Sequence, residues 1–299
     1  MANEFKSDLL GQLERRLGPL KRLAGSLSLL ETASGSRIYL RYSKMHNGRC
    51  AFYGLRRVDL NALEGHDSHV CLFTDDPQSP LFLPYADFEV VIRQSPLAND
   101  GQYKVQLIFD AGTRELYLPR VGSFNVDAYG GIETLLQAAD VGRSETLAAL
   151  SHGQVQTLLG AIGHLKGYSV YVPPSDCVCL DWALAPRFNV VAALPPFVHE
   201  RAAAAAEIDV IWLDHSSSAV SAAFEVEHST PVYSGLLRFN DVHLTCPGVP
   251  RYFVVSNESR RDLFARQVQR PTFQRSGLAE MVSFLEYANV FDWHRRLRE

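Results

Sequence analysis

The chain has 299 residues, 46% hydrophobic and 21% charged, with a formal net charge of −4. Those figures fit an ordinary globular protein with room for two domains, and the net charge does not advertise nucleic-acid binding, although a local cationic groove is enough to track phosphates. No apolar run approaches a membrane span, and the start, MANEFKSDLLGQLERRL, lacks a signal-peptide core, so a cytoplasmic protein without a membrane partner is expected. The five cysteines are odd in number and scattered, which argues against a disulfide framework. Cys177 and Cys179 have no second pair at zinc-finger spacing.

In chain order, residues 3–31 predict a helical arm, with Phe5, Leu9, Leu10, Leu13 and Leu17 at helical spacing and a break into two pieces at Gly18-Pro19. From Arg37 to Arg120 the pattern turns to β, with strands expected at 37–43, 50–56, 69–74, 80–83, 103–109 and 114–118. Turn clusters at His46-Asn47-Gly48, Asp75-Asp76-Pro77 and Asn99-Asp100-Gly101 separate them. Short strands at this spacing predict a barrel or sandwich. The expected division is a β-rich domain over 1–130, a linker helix over 131–150 and a second domain over 151–299. In that second domain a helix is expected at 152–166, a strand at 168–172, a loop-rich insertion at 175–200, a helix at 232–244, a strand at 251–255 and a basic helix at 258–269.

The segment EIDVIWLDHSSSAVSAAFEVEH, residues 207–228, holds the chemistry. Two apolar runs flank a polar turn, and carboxylates interrupt them at Asp209, Glu225 and Glu227. Side chains alternate faces along a strand, so Glu225 and Glu227 share one face. Pairing the runs as a hairpin with Asp209 opposite Glu225 adds the third carboxylate to that face, and also opposes Ile211 to Ala223 and Leu213 to Ser221. Three carboxylates at close range repel, and a divalent cation with hard oxygen ligands, Mg2+ being the usual choice, relieves them. A solvated strand edge is the bland alternative.

The run Phe224-Glu225-Val226-Glu227-His228, preceded by Ile208-Asp209-Val210 and followed by YSGLLR, resembles the PD-(D/E)XK or restriction-endonuclease-like nuclease superfamily. The resemblance covers about 120 to 145 residues of the second half, within motifs degenerate enough that context carries the weight. The fold class it implies is mixed, α+β or α/β: an N-terminal β-barrel-like domain followed by a restriction-endonuclease-like αβββαβ core. It implies Asp209 and Glu225 as Mg2+ ligands, the Val226 carbonyl as a third oxygen, and Glu227 where most members carry lysine. Gln154 occupies the first-helix position that is glutamate in many members. The stretch YGLRRVDLNAL to LFLPYADFEVVI looks loosely like a plant-type DNA-binding pseudobarrel, which would make Arg37, Arg41, Lys44, Arg49, Arg56 and Arg57 candidates for the DNA-facing surface. Arg238, Arg260 and Arg261 are candidate phosphate contacts, with Arg266 and Arg270 on the same basic stretch, and His228 faces away from Glu227 in a structural role.

The function expected is a Mg2+-dependent, site-specific endonuclease of the restriction or defence type acting on double-stranded DNA, with a homodimer as one way to cut two strands. The alternative from the binding class is a PD-(D/E)XK fold that holds DNA without cutting, motivated by Glu227 and Gln154. A glycoside hydrolase using Glu225 and Glu227 ranks last, for want of a barrel of alternating strands and helices.

Overall fold

The computed structural model describes residues 2–76, 80–110, 112–135, 150–228, 232–246 and 248–298. It divides into two compact units, Met1–Ser144 and Glu145–Glu299. The class is mixed α+β, with three sheets among the described residues.

The first unit opens with helix α1 (Ala2–Leu17), followed by β1 (Lys21–Arg22), β2 (Leu29–Glu31), β3 (Arg37–Tyr42) and β4 (Cys50–Arg56). Then come α2 (Arg57–Asn61), β5 (Ser68–Phe73), β6 (Leu81–Pro84), α3 (Tyr85–Ile92), β7 (Gln102–Asp110), β8 (Thr113–Leu118) and β9 (Gly122–Asn125). One sheet runs β1-β2-β3-β5-β6 and the other β4-β7-β8-β9. Alternation along β3 sends Ile38 and Leu40 toward Leu9 and Leu13 of α1, while Tyr39 joins Tyr53, Leu55, Val105 and Leu107 between the sheets.

Three expectations change here. The sheets face each other without closing into a barrel: the chain leaves β3 for β4 in the other sheet and returns to pair β5 parallel to β3. The second piece of the helical arm is a small hairpin of β1 and β2, because Gly18 and Gly25 adopt φ of 81° and 76° and reverse the chain. Leu29 and Leu30 then point to opposite faces of a sheet, burying both, which a helix turn would not do. Residues 122–125, beyond the last expected strand of the first domain, form β9. The expected linker helix over 131–150 falls largely on 136–149, outside the described residues.

In the second unit α4 (His152–Leu165) is followed by β10 (Ser169–Tyr171), α5 (Pro196–Arg201), a 3-10 turn at Ala203–Glu207, β11 (Val210–Leu213) and β12 (Val220–Val226). Helix α6 (Val232–Thr245), β13 (Tyr252–Ser256), α7 (Arg261–Val268), α8 (Pro271–Ser276), α9 (Leu278–Met281), β14 (Val282–Glu286) and α10 (Tyr287–Arg298) complete it. The sheet order is β10-β11-β12-β13-β14, antiparallel through β12 and parallel from there. The edge strand β14 and helix α10 extend the sheet beyond the elements expected from sequence.

Helices cover both faces of this sheet, so its strands are apolar on both sides. On one face Leu236 and Phe239 of α6, with Phe264 and Phe273, meet Ile211, Ala223, Tyr252 and Val254. On the other, Val155, Leu158 and Ile162 of α4 and Trp293 of α10 meet Trp212, Phe224 and Phe253. Trp212 is fully buried and donates through Nε1 to the Leu159 carbonyl at 3.0 Å. Gly163 lets α4 come this close: a Cβ there would stand 2.4 Å from Trp212 Nε1. Among the described residues, no helix is long and apolar enough to cross a membrane.

Candidate active site

Strands β11 and β12 bring the carboxylates together. Val210 pairs with Phe224 and Ile211 with Ala223, a register that continues to Asp209 opposite Glu225 just outside the first strand. Leu213, however, pairs with Val220 rather than Ser221, through an irregularity after Trp212. The turn explains the slip. Asp214 Oδ1 accepts the backbone N–H groups of Ser216 and Ser217 at 3.0 and 2.8 Å and both hydroxyls besides, and Ser218 takes a φ of 56°. This Asx-type turn closes the loop one residue early.

The apolar residues sharing a side with Glu225, Ala223 before it and Val254 on the next strand, pack toward α6, whereas Phe224 and Val226 pack toward α4. Glu225 is fully buried and Glu227 is 1% exposed. Arg238 of α6 clamps Glu225 with two hydrogen bonds, Nε to Oε1 at 2.7 Å and Nη2 to Oε2 at 2.5 Å. Burial pushes the Glu225 carboxyl up to about 8, the Arg238 pair pulls against it, and the neighbouring Asp209 and Glu227 push it further up. The same pair raises the pKa of Arg238.

Asp209 bridges two elements. Its Oδ2 accepts the Val226 N–H at 2.6 Å, tying it to β12, and its Oδ1 lies 3.1 Å from His152 Nε2 at the start of α4. That hydrogen bond is the main cause that raises the His152 pKa, against desolvation that lowers it. Asp176, in the turn after Pro173-Pro174, completes a trio: one ligand atom from each of His152, Asp176 and Asp209 lies within 4.8 Å of the others. Gln156 of α4 reaches both acids, donating to Asp176 Oδ2 at 3.0 Å and to the main-chain oxygen of Asp209 at 3.4 Å.

Gly235 makes room for α6 over the acids, since a Cβ there would stand 2.8 Å from Glu227 Oε1 and 3.2 Å from Glu225 Cβ and Cγ. In Gly235→Ala the helix gains about 1 kcal/mol of propensity, while overpacking against two buried carboxylates costs about 1–3 kcal/mol. A net loss of about 1 kcal/mol in urea unfolding is expected, and an unchanged or raised midpoint would show that the acids have slack.

Several expected site residues lie elsewhere. Gln154 is the N3 partner of the Ser151 capping box and donates to Asp181 at 3.0 Å; the first helix reaches the site through His152 and Gln156 instead. Arg260 donates to the main-chain oxygen of His228 at 2.5 Å, and Arg261 pairs with Glu286 at 2.5 Å and lies over Phe284, so both are tied within the unit. Arg266 and Arg270 are exposed, the latter over the Tyr233 ring. His228 packs against Tyr287.

In the first unit Arg37 is 6% exposed, bonded to Glu31 and the Ala62 carbonyl, and Arg41 lies half-buried over Tyr39. Arg37 presents no free outward charge. Arg56 is held by Asp59 through two hydrogen bonds, while Lys44, Arg49 and Arg57 are exposed. The sequence reading missed His152, Asp176 and Gln156. The signal available was a glutamine at a buried phase of α4 and an aspartate in the turn that ends β10.

Buried acids gathered beside a helix N-terminus on a mixed sheet, with an arginine against them, make this a unit of the restriction-enzyme class once comparison is added. Residues 136–295 match the model of the Type II restriction enzyme NmeDI C-terminal domain, and the chain belongs to that family. No curated protein and no solved structure matches it.

Proposed function

We propose that the protein is a restriction-type endonuclease that hydrolyses phosphodiester bonds of double-stranded DNA at specific sites, with Mg2+ as the cofactor and Asp209, Glu225 and Glu227 as its catalytic acids. The observation that carries this reading is the gathering of Asp209 and Glu227 beside Glu225, itself clamped by Arg238, within the part of the chain that matches a restriction-enzyme family. The PD-(D/E)XK resemblance fits the same residues.

The donor chemistry suits a divalent ion, though not through the pair expected. Asp209 and Asp176 offer hard oxygens beside each other, whereas both Glu225 oxygens are engaged by Arg238. A bound Mg2+ would supply an activated water and polarise the phosphate. The chain's own residues do the rest. Arg238 is placed to pass from Glu225 to the scissile phosphate, which would neutralise its charge and release the Glu225 carboxylate toward Asp209. Glu227 Oε1 would accept the proton of the attacking water as general base in place of the usual lysine. The helical and strand scaffold keeps these groups out of bulk water, and in that drier setting their charges act more strongly. The β-rich first unit is proposed to choose the site, through exposed groups such as Arg57, Lys44 and Arg49, and two copies would serve the two strands.

The test is incubation of unmethylated and methylated phage DNA with purified protein plus Mg2+, Mn2+ or EDTA. Discrete fragments that disappear with EDTA are expected. Intact DNA under every condition, with retention in a gel, would replace this reading by a binding protein.

A further inference from the structure

We infer that His152, Asp176 and Asp209 form a site for a first-row transition dication, with Mn2+ the probe of choice, at the mouth of the carboxylate cluster. The inference rests on the proposed function in sharing its oxygen donors Asp209 and Asp176, and it adds the third ligand and the class of ion that the site prefers.

The first ground is geometric. Ligand atoms about 2.1 Å from one ion stand about 3 Å apart at adjacent positions, and His152 Nε2 is 3.1 Å from Asp209 Oδ1. The third atom, from Asp176, keeps the whole set within 4.8 Å, close enough to gather round one ion. The three residues come from rigid places: the first position of α4, the turn after β10 and the entry to β11. Asp209 is anchored by the Val226 N–H, so its Oδ2 is fixed and Oδ1 is the edge that faces His152 Nε2. Asp176 is held by the Ser175 hydroxyl on one oxygen and by Gln156 on the other.

The second ground is independent of the acids. Gln156 is fully buried, and its amide nitrogen donates to the Asp176 carboxylate and to the main-chain oxygen of Asp209, which holds its head beside the Asp176 ligand. Its Oε1 has no hydrogen-bond partner among the described residues. A buried amide oxygen without a donor is costly and rare. An ion, or a water bound to one, satisfies it.

The third ground is ligand chemistry. Mg2+ selects oxygen donors and keeps most of its water, whereas an imidazole nitrogen suits first-row transition ions. One histidine with two carboxylates therefore favours Mn2+ over Mg2+. The imidazole stands at the solvent side, its side chain 40% exposed, while the Asp209 side chain is 12% exposed, so the ion has a route in.

The experiment is titration of the full chain with Mn2+, read by loss of the free-ion electron paramagnetic resonance signal, with thermal unfolding in parallel. One Mn2+ per chain is expected, with Mg2+ competing only at tenfold excess or more, and a rise in Tm on adding the ion. His152→Ala and Asp176→Asn are each expected to weaken Mn2+ binding at least tenfold and to abolish the Tm rise. His152→Gln keeps a hydrogen-bond donor for Asp209 while removing the nitrogen ligand, so a loss of Mn2+ preference in that folded variant separates lost ligation from lost structure. Wild-type Mn2+ affinity in His152→Gln and Asp176→Asn would overturn the inference. DNA cleavage, assayed on the same samples, keeps the two readings apart: variants that bind Mn2+ normally while the parent cuts DNA remove this site and leave the nuclease. Ligand-dependent Mn2+ binding in a parent that cuts no DNA does the reverse.

Discussion

Asp209→Asn is expected to lower DNA cleavage about a thousandfold with the fold intact. The side chain does two separable jobs. Oδ2 accepts the Val226 N–H at 2.6 Å, which an asparagine carbonyl can still do, so the entry to β11 stays anchored. The charge that faces His152 and Asp176 disappears, and with it the only acid that belongs both to the carboxylate cluster and to the His152 trio. A metal Lewis acid supplies several kcal/mol of transition-state stabilisation, and about 4 kcal/mol corresponds to a factor of about 10^3 in rate. The check is a cleavage rate under single-turnover conditions beside a thermal melt. Wild-type cutting by a folded Asn variant would take Asp209 out of the active centre.

Arg238→Met is expected to destabilise the protein by an amount that grows above pH 8. Glu225 has a folded-state pKa raised from 4.5 to about 8 by burial, with Arg238 the group that pulls it down. A carboxyl with a raised folded pKa contributes stability that is fully present below the unfolded value and is lost as pH rises through the folded one. Without Arg238 the folded pKa moves higher still, so between 4.5 and 8 both proteins lose stability in parallel, and above 8 only the variant continues to lose it. The slope is about 1.4 kcal/mol per pH unit. Removing charge-assisted hydrogen bonds costs about 1.5 kcal/mol at pH 6, and the added slope brings this to about 3 kcal/mol at pH 9, the scale of a broken buried pair. Urea unfolding at the two pH values measures it. Equal losses at pH 6 and pH 9 would mean that Arg238 does not set the protonation of Glu225.

These two residues also show how the candidate site is built against electrostatic cost. Three acids in an apolar sheet would repel, and Arg238 and His152 offset two of them from opposite directions, one from α6 and one from α4. Gly235 allows the first approach by leaving no Cβ over Glu225 and Glu227. The site is therefore made by helix placement as much as by strand sequence.

What the sequence by itself determined is what depends on local period. Alternation along 220–226 sorts Glu225 from Phe224 and Val226, and the polar turn at 214–219 makes β11 and β12 antiparallel, which sets Asp209 near Glu225. The helix at 152–165 was legible as the run expected at 152–166, and the mixed class from the succession of elements. The restriction-type resemblance lay in the same run of residues, and the family match includes it. Over 20–31 the helical expectation gave way to a hairpin, because burial of Leu29 and Leu30 on two faces decided it.

Only the tertiary structure decided who partners whom. His152 meets Asp209 across 57 residues, Arg238 meets Glu225 across 13, and Arg37 meets Ala62 across 25. No periodicity encodes such pairs, because they arise when separate elements pack and a buried charge takes whichever partner the packing brings within reach. That is why Arg37 and Arg238 read as free cations in the sequence and stand as paired ones in the fold. It is also why Gln156 rather than Gln154 faces the acids: the two are about 200° apart around α4, and the side packed on the sheet carries the one that counts.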